Sequence, residues 1–200
     1  MTRYVAFEGV DGAGKSTSAR LVADRLIAIG HELVHVREPG GTRAGEAIRE
    51  ILLGPDSHPD PWAEALLFAA ARSQLASEIV GPALVAGKTV VSDRSVYSSL
   101  AYQGAGRGLG VEAVRMVNEA GLQGVWPDTV ILLRVAPDRG LAREDEADRI
   151  SVAGLELQER VAAAYDEFVV AEPERFVVLD ADGGVDEVVR ASLSALGERW

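Results

Sequence analysis

Residues Phe7 to Leu21 read FEGVDGAGKSTSARL. Gly9, Gly14, Lys15 and Ser16 fall there at the G-x4-G-K-S spacing of a loop that wraps a polyphosphate. A strand-like run, YVAFE (Tyr4–Glu8), precedes the loop, and an amphipathic helical pattern follows from Lys15 to Ile29. Glycines let the backbone from Gly9 through Val10, Asp11, Gly12, Ala13, Gly14, Lys15 and Ser16 to Thr17 turn its N–H groups onto phosphate oxygens. The start of the helix adds partial positive charge. In such a loop the lysine, here Lys15, reaches the β- and γ-phosphates of ATP, and the hydroxyl, here Ser16, ligates Mg²⁺. Two residues stand out: Asp11 puts an acid into a loop built for anions, and Gly12 brings no charge of its own.

Outward from the loop, short β-rich runs alternate with longer helical patterns. ELVHVR, TVVSD, TVILLRV and RFVVLD read as further strands. Helical patterns run over Thr42–Leu53, Pro61–Ala86, Ser98–Leu122 with a break near Gly104–Gly110, Val152–Val170 and Val185–Glu198. Such alternation predicts an α/β fold, a mostly parallel sheet covered by helices on both faces, in a single domain over residues 1–200. Ligands in these sheets bind beyond the carboxyl ends of the strands. Glu8, Arg37, Asp93 and Asp180 all stand at or near such ends.

Composition sets the outer bounds. The chain is 200 residues long, which fits one domain. A formal charge of −11 argues against nonspecific nucleic-acid binding, which calls for a basic face. No apolar run reaches the about 20 residues that span a bilayer. Cysteine is absent, and the N-terminal stretch MTRYVAFEG lacks a signal-peptide layout. The expectation is a cytoplasmic protein without membrane or nucleic-acid partners.

Several other residues carry both a functional and a plain reading. REPGGT (Arg37–Thr42) is either an acceptor-side loop or an ordinary Pro-Gly-Gly turn. Asp93 and Arg94 close the third strand; the acid can orient Mg²⁺-bound water and the arginine can clamp a phosphate, or the two can form a structural ion pair. Phe68 and Arg72, four apart, share a helix face that can stack and read a base, or serve as a core ring beside a surface cation. Ser95, Ser99 and Gln103 share another face, with Tyr102 beside them.

Taken together, EGVDGAGKST, REPGGTRAGEAIREILL, LLFAAARSQL and SSLAYQGAGRGL resemble the bacterial thymidylate kinases, and DRISVAGLELQERVAAAYDEF continues the likeness. The resemblance implies a P-loop three-layer fold with a five-stranded parallel sheet, a short lid at about residues 139–150, ATP and dTMP as substrates, Mg²⁺ as cofactor, and a homodimer. It also resolves the ambiguous residues. Asp11 then faces the sugar of the acceptor rather than the ATP phosphates. Phe68 stacks on thymine, Arg72 reads the base edge, and Arg94 holds the acceptor phosphate. Tyr102 excludes a 2′-hydroxyl, Ser99 and Gln103 line the base pocket, and Glu38 belongs to the acceptor-side loop.

Relatives without a loop arginine draw their extra cation from the lid. Here that region, PDRGLAREDEADRIS, is short and acidic, leaving Arg149 as the first catalytic candidate and Arg143 as the second, with Arg139 extra. The competing expectation pairs these arginines with neighbouring acids on the surface. An arginine placed at Gly12 would stand in for Arg149. Ser95 and Tyr97 depart from the family pattern beside the acceptor, with Tyr97 a candidate replacement ring there. The reading is thus a dTMP kinase, against another nucleoside monophosphate or deoxynucleoside kinase, a GTP-dependent switch that lacks its guanine-reading motif, or a catalytically weak nucleotide binder.

Overall fold

The computed structural model describes residues 4–143 and 154–197. Five strands form its sheet: β1 (Tyr4–Glu8), β2 (Leu33–Arg37), β3 (Thr89–Asp93), β4 (Thr129–Arg134) and β5 (Phe176–Asp180). Their order is β2-β3-β1-β4-β5, and every pairing is parallel rather than mostly so. β1 lies at the centre, buried along its whole length, so its five residues read as a continuous apolar run ending in an acid. The register sets Phe7 opposite Asp93 on one side and Ile131 on the other. Strand ends carrying Glu8, Asp93 and Arg94 are thereby brought to one edge.

The connection from β1 to β2 runs one way across the sheet, and those from β2 onward run the other way. Right-handed crossovers therefore place α1 (Lys15–Ala28) on one face and α2 (Arg43–Leu53), α3 (Pro61–Leu75), α6 (Val111–Leu122) and α8 (Leu155–Ala171) on the opposite face. α9 (Val185–Gly197) packs with α1.

Two long helical expectations are realised in pieces. The helix from Pro61 continues past Leu75 through a wider, i+5-bonded stretch, Ala76–Val80, into α4 (Gly81–Val85). Pro82 has no N–H and its ring collides with the carbonyl four residues back, and the widened turn accommodates both. After β3, α5 (Val96–Ser99) gives way to a second wide stretch, Leu100–Gly106, before α6. A short helix that the sequence reading did not foresee, α7 (Pro137–Leu141), follows β4.

Tyr97 corrects one expectation. It is fully buried and takes no place beside the acceptor. Its ring packs edge-on to Trp126 and Phe176 and tilts against Phe168, while its hydroxyl donates to Glu172 at 2.7 Å. Ser95 caps α5 by accepting from the Tyr97 N–H, and this entry turn sends the next ring into the core.

Glu8 closes β1 as a fully buried carboxylate. It accepts from the N–H and hydroxyl of Ser95, the N–H and hydroxyl of Ser98, and the hydroxyl of Tyr165. A buried acid is tolerated when its lone pairs are filled in this way. The network ties the central strand to α5 and α8 across 157 residues of chain. Replacing it by alanine strands several buried donors, each costing about 1–3 kcal/mol. Glu8→Ala is therefore expected to lower the melting temperature by roughly 6–12 °C, the shift of about 3 kcal/mol in a chain of this size. A melt within a degree or two of the parent would show that the network contributes little.

Candidate active site

The loop between β1 and α1 has the form of an anion cradle. α2 and α3 begin with side-chain caps, Thr42 and Asp60, which accept from the exposed N–H groups of the first turn. α1 begins at Gly14, in the left-handed region at φ 85°, with no side-chain cap and no acid in its first turn. Its first-turn N–H groups are left for an external acceptor. Lys15 folds back in this state: its Nζ donates to the Val10 carbonyl at 2.6 Å and lies 4.0 Å from an Asp11 oxygen. Burial and the nearby Arg94 cation lower the lysine to about 8 in spite of the carboxylates around it.

Asp11 does not point into the cradle. One carboxylate oxygen accepts from Arg94 Nη2 at 2.6 Å and from the Tyr102 hydroxyl at 2.8 Å. The other accepts from Gln158 Nε2 at 2.6 Å, and the Gln158 carbonyl oxygen accepts from the Asp11 N–H at 3.1 Å. Burial alone would raise this carboxyl; Arg94 and Lys15 outweigh it and hold the group at about 2. The guanidinium of Arg94 also lies over the Tyr102 ring, 5.2 Å from its centre. Arg94 itself sits at φ 71°, a left-handed conformation that costs a non-glycine residue about 1–3 kcal/mol and is kept where the surroundings impose it. Here the Glu8-bound turn after it does so.

Beside this junction opens a cleft of about 300 Å³. Phe68 and Leu53 supply its apolar wall; Asp11, Ser16, Glu38, Asp93, Arg94, Ser98, Ser99, Tyr102 and Gln103 supply polar groups. Ser99, Tyr102 and Gln103 are brought together as the sequence suggested, whereas Ser95 turns away to Glu8. Arg72 lies beneath the cleft, only 3% exposed. Its Nε donates to Glu38, Nη1 to Ser99 and Asn118, and Nη2 to the Ser95 carbonyl. Four of its five N–H groups thus hold the floor together.

Ser16 and Asp93 line the same cleft. Ser16 is exposed, and the buried Oδ1 of Asp93 has no partner among the described residues. An exposed hydroxyl beside an orphaned carboxylate oxygen fits a hydrated Mg²⁺. Among the described residues no three His, Asp or Glu side chains gather as an all-protein metal site, so the remaining ligands would be phosphate and water.

Gly12 has a reason the sequence did not reveal. A Cβ there would sit 1.8 Å from the carbonyl oxygen of Gly140 in α7, and the residue stands at φ 70°. The arginine substitution considered above does not fit this backbone. Gly140 in turn presses on the Asp11 carbonyl, where its own Cβ would come within 2.3 Å. α7 is thus seated directly on the phosphate loop. Arg139 in α7 and Arg143 just after it face the turn after β5: Arg139 pairs with Asp182 at 2.7 Å, and Arg143 donates to the Ala181 carbonyl at 2.9 Å. Arg149 and the acids Glu144, Asp145, Glu146 and Asp148 lie outside the described residues.

Sequence reasoning missed Gln158, Glu64, Asn118 and Arg49. Gln158 stands three residues before Val161 and seven before Tyr165, on the buried stripe of α8, so a polar residue at a core position was the available signal. Glu64 shares that signature on α3, one turn before Phe68. Arg49 lines the cleft and donates to the Pro39 carbonyl at 2.9 Å.

Comparison with known proteins agrees with this geometry. A family model described as thymidylate kinase matches residues 7–191. The thymidylate kinase of Pelotomaculum thermopropionicum is 46% identical over 184 residues, spanning 90% of this chain and 85% of that protein. That of Deinococcus radiodurans is 41% identical over 199 residues, spanning 98% and 97%. Among solved structures, a thymidylate kinase from Ehrlichia chaffeensis superposes with a TM-score of 0.83 at 29% identity over 98% of both chains. With an uncapped phosphate loop, an acid turned away from it onto Arg94, and this likeness along nearly the whole sequence, the chain belongs to the thymidylate kinase family.

Proposed function

We propose that the chain transfers the γ-phosphoryl group of ATP to dTMP, giving dTDP and ADP, with ATP in the loop at the start of α1 and dTMP in the adjoining cleft. The observation that carries this reading is the junction at Asp11. It joins the anion cradle to a cleft with one aromatic wall, a phosphate-sized cation at Arg94 and a polar far end.

The chemistry asked of the protein is placement and charge neutralisation. The acceptor phosphate oxygen is already ionised, so no side chain has to act as general base. Lys15 leaves Val10 and regains full charge on the β- and γ-phosphates. Arg94, held in plane by Asp11 and Tyr102, presents its remaining N–H groups to the acceptor phosphate. Ser16 and Asp93 hold Mg²⁺, which supplies charge to the polyphosphate when bound. Phe68 stacks on the base, Asp11 and Tyr102 border the sugar, and Glu38, Ser99 and Gln103 surround the base with Arg72 behind them. Arg149 brings the further cation; Arg143, which follows α7 and bonds to the turn after β5, acts on ATP binding. In the described residues no helix is long and apolar enough to cross a membrane, and a cytoplasmic site of action accords with the substrates.

A homodimer is part of the proposal. Ile51, Trp62, Leu66 and Met116 are exposed by 41–60% on α2, α3 and α6, which pack side by side. Apolar side chains grouped on adjacent helices mark an interaction face. Sedimentation at micromolar concentration is expected to give twice the mass of the chain, and a species of 21.2 kDa alone would remove the dimer.

The activity is tested by ADP release across a panel of nucleoside monophosphates. dTMP is expected to dominate; a flat response, or preference for another member, would overturn the reading. On the same panel Phe68→Ala is expected to raise the KM for dTMP by the equivalent of about 1–3 kcal/mol while leaving that for ATP within about twofold. Equal weakening of both nucleotides would reduce Phe68 to a packing residue.

A further inference from the structure

At the end of the cleft away from the phosphate loop, Glu64 forms a polar contact that no step above uses. It lies in the first turn of α3 yet is only 1% exposed. Its Oε1 accepts from Gln103 Nε2 at 2.9 Å and from Arg107 Nε at 3.2 Å, and its Oε2 accepts from Arg107 Nη2 at 3.3 Å. Gln103 is itself 2% exposed and lines the cleft.

The chemistry of this contact is one-directional. Both Glu64 oxygens are taken up by N–H donors, Oε1 by Gln103 and Arg107 and Oε2 by Arg107, so the group acts here as an acceptor. The Gln103 amide must therefore turn its NH₂ toward Glu64, and flipping it would set two acceptors against each other. The Gln103 Oε1 then has no hydrogen-bond partner among the described residues, and it is not sealed off, since the one orphaned buried side-chain atom there is Asp93 Oδ1. The open side of Gln103 is the cleft. Glu64 thus fixes which face of the amide an incoming base meets: a carbonyl, which accepts.

We infer that Glu64 is a specificity-determining positioning residue, which locks Gln103 as an acceptor and so selects a pyrimidine bearing a ring N–H beside its 4-oxo group over one bearing 4-amino and a bare ring nitrogen. The inference rests on the proposed binding of dTMP in this cleft. Thymine offers the N–H; cytosine offers a lone pair at the same position, which would face the Gln103 carbonyl unpaired. A site built around a fixed polar group rejects the mismatched base because both are left buried without partners. Arg107, bonded to both Glu64 oxygens, holds the acid against the amide and so keeps the amide from turning.

The test compares kcat/KM for dTMP and dCMP in Glu64→Gln, whose new amide can either donate to or accept from Gln103. The dTMP-to-dCMP ratio is expected to fall by at least about tenfold, with the KM for ATP unchanged. A folded Glu64→Gln enzyme with the parent ratio overturns the inference, as does an equal loss on both substrates, which marks a merely structural acid. Should Glu64→Gln fail to fold, Gln103→Met and the apolar pair Glu64→Met with Gln103→Met decide instead. Both are expected at one common ratio, at least about tenfold below the parent, because Glu64 acts only through Gln103. A parent-like ratio in Gln103→Met, or a further drop in the pair, overturns it. If the parent enzyme itself fails to prefer dTMP, the proposed substrate falls rather than the role of Glu64.

Discussion

The carboxylate of Asp11 is the point on which the site depends. It is buried in a loop whose backbone is arranged for anions, and a bare acid there would repel the substrate and cost several kcal/mol to desolvate. Arg94, Tyr102 and Gln158 resolve the conflict by drawing the carboxylate away from the cradle. In doing so they join four separate stretches of chain: the phosphate loop, the end of β3, the wide helical turn and α8. The charge of the acid falls mainly on the acceptor side, where it holds a guanidinium at 2.6 Å, while Lys15 stands farther off at 4.0 Å.

Around that junction the molecule repeats one device. A buried acid fixes a group at or just beneath the cleft. Asp11 fixes Arg94, Glu8 fixes the Ser95–Ser98 turn that carries it, Glu38 holds Arg72, and Glu64 holds Gln103. Each acid is nine-tenths or more buried, and each is satisfied by donors. The net negative charge of the chain therefore does not by itself describe the cleft: Asp11, Glu38 and Asp93 line it beside Arg37, Arg49 and Arg94, so acids and cations meet there. The positive-φ backbone at Arg94 fits the same logic, since a strained residue persists only where such a network over-determines it.

The sheet was legible in the sequence because its strands are short β-branched runs bounded by loops, and their limits agree with the structure to within one residue. The phosphate loop was legible because its chemistry is local: spacing, glycines and one lysine suffice. Phe68, Ser99, Tyr102 and Gln103 could be gathered because they lie on two helical stretches. What was not legible was who holds them. Gln158 is 147 residues from Asp11, and Glu64 is 39 from Gln103, so no local pattern joins either pair. Tyr97 was misplaced because the Ser95 cap sets the direction in which the following residues point. Gly12 was read as a missing charge, whereas the backbone of α7 occupies the space a side chain would need.

The central claim is that Asp11 organises the acceptor side and not the ATP side, and Asp11→Asn tests it most directly. The change keeps shape and removes the charge that anchors Arg94. Steady-state kinetics with dTMP, paired with calorimetric titration of ATP, separates the two sides. The account predicts a loss of about tenfold or more in kcat/KM for dTMP, with ATP affinity within about twofold of the parent. Weakened ATP binding with unchanged dTMP kinetics would contradict it.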